Sequence, residues 1–168
     1  MDFPKRKPNR LPYYNYSTPG AYFITLCTEG KKCILGSIVG GGAFDAPFVQ
    51  LSAYGQTVQK YVESGNNTSG IIVDKYVVMP NHIHIILFVD GTVCSRSSQT
   101  ASPANSAIPH FVSTLKRFVH RDIGTKIFQR SYHDHVIRGE QDYLKIWQYI
   151  DTNPAKWKAD CFYLEDVL

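Results

Sequence analysis

Two apolar runs joined by a single Pro-Asn pair constrain this chain more than any other feature. Residues 70–79 (GIIVDKYVVM) and 82–89 (HIHIILFV) are dominated by β-branched and aromatic residues, the composition of strands. Pro80-Asn81 between them is turn chemistry, so the pair predicts an antiparallel hairpin and commits the chain to a mostly antiparallel sheet. The other segments must fit around it. Residues 21–28 (AYFITLCT) read as a further strand, and 33–51 as a short hairpin with a loose tip at Gly40-Gly41-Gly42. No Lys-Ser/Thr follows those glycines, which excludes a phosphate-binding P-loop. Residues 52–64 fit an amphipathic helix with Ser52 as N-cap and Gly65-Asn66-Asn67 as its stop.

Residues 91–107 are small, polar and unperiodic, and read as a flexible loop. A helix follows over 108–123, with Ile108, Phe111, Val112, Leu115, Phe118 and Val119 on one side and Lys116, Arg117, His120 and Arg121 on the other. A short strand is expected at 132–137. A last helix is expected at 140–152, with Leu144, Trp147 and Ile150 on its apolar side. Asn153-Pro154 should end it, because proline pushes the residue before it out of the helical region. The order gives an α+β chain with a ferredoxin-like βαββαβ core, helices on one face of the sheet, and an additional C-terminal helix. At 168 residues this is one domain, spanning about 21–160, with an extended basic arm at 1–20 and a tail at 161–168.

Charge is unevenly placed. Residues 1–10 carry net +3 and residues 111–130 net +4 against a total of +4, so the remainder is net −3. Two basic segments on a mildly acidic body suit a polyanion, or else are a solvated helix face and a loose start. Cys27, Cys33, Cys94 and Cys161 show no CxxC and no zinc spacing. No apolar signal segment follows the basic start, and no run reaches the ~18 apolar residues of a membrane span. A cytoplasmic protein with reduced thiols and no membrane partner is expected.

Chemistry concentrates in two places. In Pro80-Asn81-His82-Ile83-His84, alternation along a strand puts His82 and His84 on one face and Ile83 on the other. Two imidazoles so placed can share a divalent cation, or can simply be polar residues on an open sheet face. On the last helix Tyr149 and Asn153 stand one turn apart on one side. They offer a phenol and an amide oxygen, or else a packed aromatic and a C-cap. Two His and one amide oxygen would leave positions open on Mg2+ or Mn2+ for a phosphate oxygen.

Beyond these pieces the chain resembles a known family. The residues that carry the likeness are Arg10-Leu11, Tyr22-Phe23-Ile24-Thr25-Leu26-Cys27, Tyr76-Val77-Val78-Met79-Pro80-Asn81-His82-Ile83-His84, and Leu115-Lys116-Arg117-Phe118. They continue with 128–138 (FQRSYHDHVIR) and Tyr149-Ile150-Asp151-Thr152-Asn153-Pro154. In that order and spacing they resemble the single-tyrosine HUH transposases, and most closely the REP-associated tyrosine transposases. The resemblance covers about residues 10–160. It implies His82, His84 and Asn153 as ligands of Mg2+ or Mn2+, Tyr149 as nucleophile, and hairpin-forming single-stranded DNA as substrate. It also implies nicking and strand transfer through a 5′-phosphotyrosine, by a monomer or a homodimer.

For DNA contact we expect Lys116, Arg117, Arg121, Lys126 and Arg130 on the second basic segment. On the arm we expect Lys5, Arg6, Lys7 and Arg10, beside Tyr13, Tyr14 and Tyr16. His133 and His135 form a second HxH, expected to be supporting rather than metal-binding. Two other classes compete: a catalytically silent nucleic-acid-binding module on the same fold, and an HxH metal hydrolase, for which no third His or acid stands at recognisable spacing.

Overall fold

The computed structural model describes residues 14–16, 18–42, 45–67, 70–91 and 106–163. The arm residues Lys5, Arg6, Lys7, Arg10 and Tyr13, and Cys94 with most of the expected loop, lie outside the described residues. The expectation for Tyr14 and Tyr16 is corrected, since Tyr16 is buried in the core and Tyr14 packs against it with the rings 5.1 Å apart. Strand β1 (Gly20–Cys27) is followed by a small hairpin of β2 (Gly36–Val39) and β3 (Phe48–Leu51), then helix α1 (Ala53–Glu63). Strands β4 (Ile71–Val78) and β5 (His82–Val89), helix α2 (Ala107–Ile123), strand β6 (His133–Ile137) and helix α3 (Glu140–Thr152) complete the order. The main sheet has the strand order β4-β5-β1-β6, every neighbouring pair antiparallel. This is the ferredoxin-like α+β arrangement.

Local sequence explains the main joints. The Ser52 hydroxyl accepts the Gly55 amide and donates to the Ile34 carbonyl, so one side chain caps α1 and ties it to the preceding segment. A Cβ at Gly55 would sit 2.0 Å from the Leu35 carbonyl oxygen, so only glycine lets the helix approach this closely. The β4–β5 turn is held by Met79 N–H on the His82 carbonyl and by Thr28, whose amide and hydroxyl both donate to the Asn81 carbonyl.

Alternation sorts the two sheet faces. Ile24, Leu26, Ile83, Ile85 and Leu87 point to one side and are buried under Val58 and Val62 of α1 and Ile108, Phe111, Leu115 and Val119 of α2. Truncating Ile85, which has no exposed surface, to alanine is expected to cost ~2–5 kcal/mol in urea unfolding; a loss under ~1 kcal/mol would show that this layer is loosely packed.

Helix α3 covers the opposite face, where Ile150 packs with Ile86 and Ile137, flanked by Phe23, Tyr143 and Ile146. The expected apolar side of this helix is therefore corrected. Leu144 is 54% exposed and Trp147 38%, while Tyr143, Ile146 and Ile150 face the sheet. The outward Trp147 ring is covered by the Lys75 ammonium at 3.7 Å, which also pairs with Asp151 at 2.6 Å. The end of α3 differs too. Asn153 keeps helical dihedrals (φ −58°, ψ −44°), and Pro154 opens a 3-10 turn over Pro154–Ala159. Proline is tolerated there because a first-turn amide needs no partner. The helical Asn153 consequently stays on the same side as Tyr149, one turn away.

Candidate active site

The α3 side of the sheet carries a row of side chains set by strand register. Thr25 of β1 lies opposite His84 of β5 on one side and His133 of β6 on the other, and Cys27 lies opposite His82. Both central imidazoles are buried, 0% exposed for His82 and 1% for His84. That departs from the half-exposed pair of an open sheet face, because α3 and the residues after it close over them.

The tautomer of His82 follows from its neighbour. The Asn81 side-chain NH2 donates to the carbonyls of Lys31 (3.1 Å) and Phe162 (2.9 Å), which turns its oxygen toward His82 Nδ1 at 2.8 Å. Nδ1 must therefore carry the proton, leaving the Nε2 lone pair directed into the site. His84 Nδ1 meets the Thr25 hydroxyl at 2.8 Å, a group that can serve either tautomer. The two Nε2 atoms are 3.0 Å apart.

Tyr149 and Asn153 reach the same place from α3. The Tyr149 hydroxyl lies 3.2 Å from His84 Nε2 and donates to Asp160 Oδ2 at 2.8 Å. The Asn153 amide donates to the same carboxylate oxygen at 2.6 Å, an assignment fixed by chemistry because only its nitrogen can donate. The Phe162 amide donates to Asp160 Oδ1 at 2.7 Å. The Asn153 amide oxygen is buried with no hydrogen-bond partner among the described residues. Such an orphan acceptor is costly unless something outside the protein meets it.

Charge in the site is unbalanced. Burial, with a smaller push from Lys31, pulls His82 down to about 4 against a partial counter-pull from Asp160. Burial, followed by its neighbour His82, holds His84 well below the ordinary imidazole value. Burial raises the Asp160 carboxyl, but the bonds from Phe162, Asn153 and Tyr149 and the proximity of His82 outweigh it, and the net shift is downward. Burial, then the Asp160 bond and charge, pushes the Tyr149 phenol well above its usual range. At neutral pH the site holds two neutral imidazoles, one carboxylate and a protonated phenol, a set that favours a cation.

Lone-pair atoms of His82, His84 and Asp160 all lie within 4.8 Å of one another, a group that could hold a metal ion. Imidazole nitrogens with a carboxylate and an orphan amide oxygen fit a divalent ion. Sequence reading missed Asp160, Asn81 and Thr25. Asp160 comes after the last expected helix, at no motif spacing from the histidines, and the Thr25–His84 contact needs the β1–β5 register to be seen. His135 does not join the site: its Nε2 pairs with Asp142 at 2.8 Å. His133 lies with its ring 6.1 Å from Phe162.

The basic residues divide. Lys116, Arg117, Lys126 and Arg130 line a cleft of about 590 Å3 beside α2, with His120. The Lys116 ammonium is largely committed within it, donating to the carbonyls of Gln129 (2.7 Å) and Arg130 (3.2 Å). Arg121 lies elsewhere, against Phe118, Tyr61 and Asp122.

Neutral buried histidines link folding to pH. Between the ordinary 6.5 and about 4 the unfolded chain binds protons that His82 in the folded protein does not, so stability is full above 6.5 and is lost as pH falls through this window. The urea midpoint of metal-free protein is expected to drop steadily from pH 7 to pH 4.5; a midpoint that rises would mean the imidazoles are charged when folded.

No family model matches the sequence. An uncharacterized protein from Haemophilus influenzae is 30% identical over 175 residues, spanning 95% of this chain and 94% of its own length. Among solved structures, the REP-associated tyrosine transposase bound to a REP hairpin superposes with a TM-score of 0.61 at 18% identity, over 88% of this chain and 72% of that one. The latter likeness is one of fold. Among the described residues no helix is long and apolar enough to cross a membrane.

Proposed function

We propose, for a chain that belongs to one family with the Haemophilus influenzae protein and has the fold of the REP-associated tyrosine transposase, that it is a single-tyrosine HUH transposase, which nicks and rejoins single-stranded DNA through Tyr149. The observation that carries this reading is the Tyr149 hydroxyl, placed between His84 Nε2 and Asp160 Oδ2 with His82 Nε2 3.0 Å from that same His84 nitrogen. Hairpin-forming DNA is the substrate class we infer, since the transposase of matching fold is bound to a REP hairpin.

In the reaction proposed, the Tyr149 oxygen attacks the scissile phosphorus and the bond to the 3′ oxygen breaks. The products are a 5′-phosphotyrosine and a free 3′-hydroxyl. The phenolic proton passes along the existing hydrogen bond to Asp160, and the departing 3′ oxygen takes a proton from water. Raised by burial and then by its bond to Asp160, the phenol is a poor nucleophile until that proton leaves, and Asp160 Oδ2 at 2.8 Å is the acceptor in position to take it. Asn153 holds the carboxylate while its own buried oxygen is left without a partner, and Asn81 and Thr25 fix the imidazole orientations. A bound Mg2+ or Mn2+, held by His82, His84 and the oxygens of Asp160 and Asn153, would polarise the phosphate and stabilise its developing charge. Exchange of one phosphodiester for another needs no ATP, and a 3′-hydroxyl from a second end reverses the step and joins DNA. Arg117, Lys126 and Arg130 in the basic cleft, with Lys116, Arg121 and the arm residues Lys5, Arg6, Lys7 and Arg10, would hold backbone phosphates.

The test is a denaturing gel. Protein mixed with a hairpin-bearing single-stranded oligonucleotide and Mn2+ is expected to yield a covalent adduct that EDTA prevents and that the fully duplex version does not form. DNA binding without any adduct would reduce the protein to a silent binding module.

A further inference from the structure

Next to the histidines, and outside the residues assigned above, lies a second cleft of about 590 Å3, formed where the 3-10 turn Pro154–Ala159 meets the β2–β3 hairpin. Trp157 and Tyr163 stand in its wall with their rings 5.2 Å apart and nearly perpendicular (88°). The Trp157 ring also lies 5.9 Å from that of His82, so the wall of the cleft adjoins the site. Lys156 and Lys158 flank the tryptophan and are exposed, and Pro47 and Ile38 close the other side. Among the described residues no acidic side chain lines it.

The combination is selective. Half-exposed aromatic faces bind flat π-systems, and flanking lysines without acids bind anions. Bases on a phosphate backbone supply both, provided the bases are unstacked; a duplex presents only its phosphates. The volume falls in the ~300–1,000 Å3 range of small-ligand clefts, room for one or two nucleotides rather than a helix.

We infer that this cleft is the binding site for the unpaired nucleotides beside the scissile phosphate, with one base stacked on Trp157 or Tyr163 and the adjoining phosphates on Lys156 and Lys158. The inference rests on the DNA-processing reading of the neighbouring site and adds to it the path of the single strand. It places recognition of the unpaired segment on the 3-10 turn and leaves the α2 cleft to the backbone.

The test is a coupling measurement. Affinity is read by fluorescence anisotropy for hairpin oligonucleotides whose unpaired extension carries an abasic site at each position in turn. For the parent protein one or two positions next to the hairpin are expected to weaken binding about tenfold, the scale of a lost stacking contact. Trp157→Leu should weaken binding to the intact extension by a similar factor, and the same abasic site should then cost less than twofold more. Trp157→Phe should keep the abasic sensitivity. Lys156→Ala with Lys158→Ala should lower the salt dependence of binding. Photocrosslinking needs no variant: 5-iodouracil at the sensitive position should attach to Trp157 or Tyr163. Abasic penalties equal in parent and Trp157→Leu, or crosslinks mapping to other segments, overturn the inference. An adduct on the denaturing gel with no such coupling leaves the nicking reading standing alone. Coupling without an adduct keeps the base site and removes the nicking reading.

Discussion

Tyr149→Phe is expected to form no covalent adduct with hairpin DNA, a loss of at least ~10^4 in rate, while binding the same DNA within about twofold. The substitution removes one oxygen. The ring remains packed against Phe23 (6.2 Å) and His84 (5.1 Å), so the helix keeps its seat on the sheet. What is lost is the hydroxyl, with its bond to Asp160 and its approach to His84. A net hydrogen bond contributes only ~0.5–1.5 kcal/mol to stability, so unfolding should change little. Adduct yield and DNA affinity measured on one preparation separate the two effects. An adduct formed at parental rate by the phenylalanine variant would remove Tyr149 from the reaction.

His84→Ala should be nearly as severe. It deletes one of the two imidazoles, and His82 with the oxygens of Asp160 and Asn153 is a poorer chelate. Titrating Mn2+ and following its paramagnetic signal should show affinity falling at least ~10-fold to 100-fold, the range already seen when supporting residues of metal sites are removed, with cleavage falling in parallel. Because His84 is 1% exposed, the variant should also lose stability, so folding is checked by circular dichroism at the assay temperature. His135→Ala is the control. That imidazole pairs with Asp142 and is 53% exposed, and its loss should leave Mn2+ affinity within twofold. Equal losses in both variants would argue that no particular histidine pair holds the ion.

Some of this was readable from residues alone, for reasons that are local. The β4–β5 hairpin follows from two apolar runs and one turn dipeptide, and strand alternation then forces His82 and His84 to one face. Ser52 as the cap of α1 needs only the next few residues. What was not readable depends on packing between distant segments. Tyr143, Leu144, Ile146, Trp147 and Ile150 form two overlapping apolar stripes on α3, and only the sheet decides that the Ile146–Ile150 stripe turns inward. The leftover Trp147 finds Lys75 instead. Asn153 stays helical before Pro154 because the following 3-10 turn brings back Asp160, which takes hold of its amide. Asp160 itself had no signal, since its role exists only once the chain after α3 folds back onto β5. Of the arm, Tyr16 is buried in the core and Tyr14 packs against it, so neither ring is free to stack on a base. Lys5, Arg6, Lys7, Arg10 and Tyr13 lie outside the described residues, and their part rests on the charge of the segment.

The most direct measurement is the site of attachment. After reaction with hairpin DNA and Mn2+, nuclease trimming and tryptic digestion should yield peptide 146–156 (IWQYIDTNPAK), in which Tyr149 is the sole tyrosine, heavier by the mass of the residual 5′-phosphonucleotide. Fragmentation should place that mass on Tyr149. Attachment to any of the other ten tyrosines, or cleavage of the DNA with no modified peptide at all, would contradict a nucleophile held between His84 and Asp160.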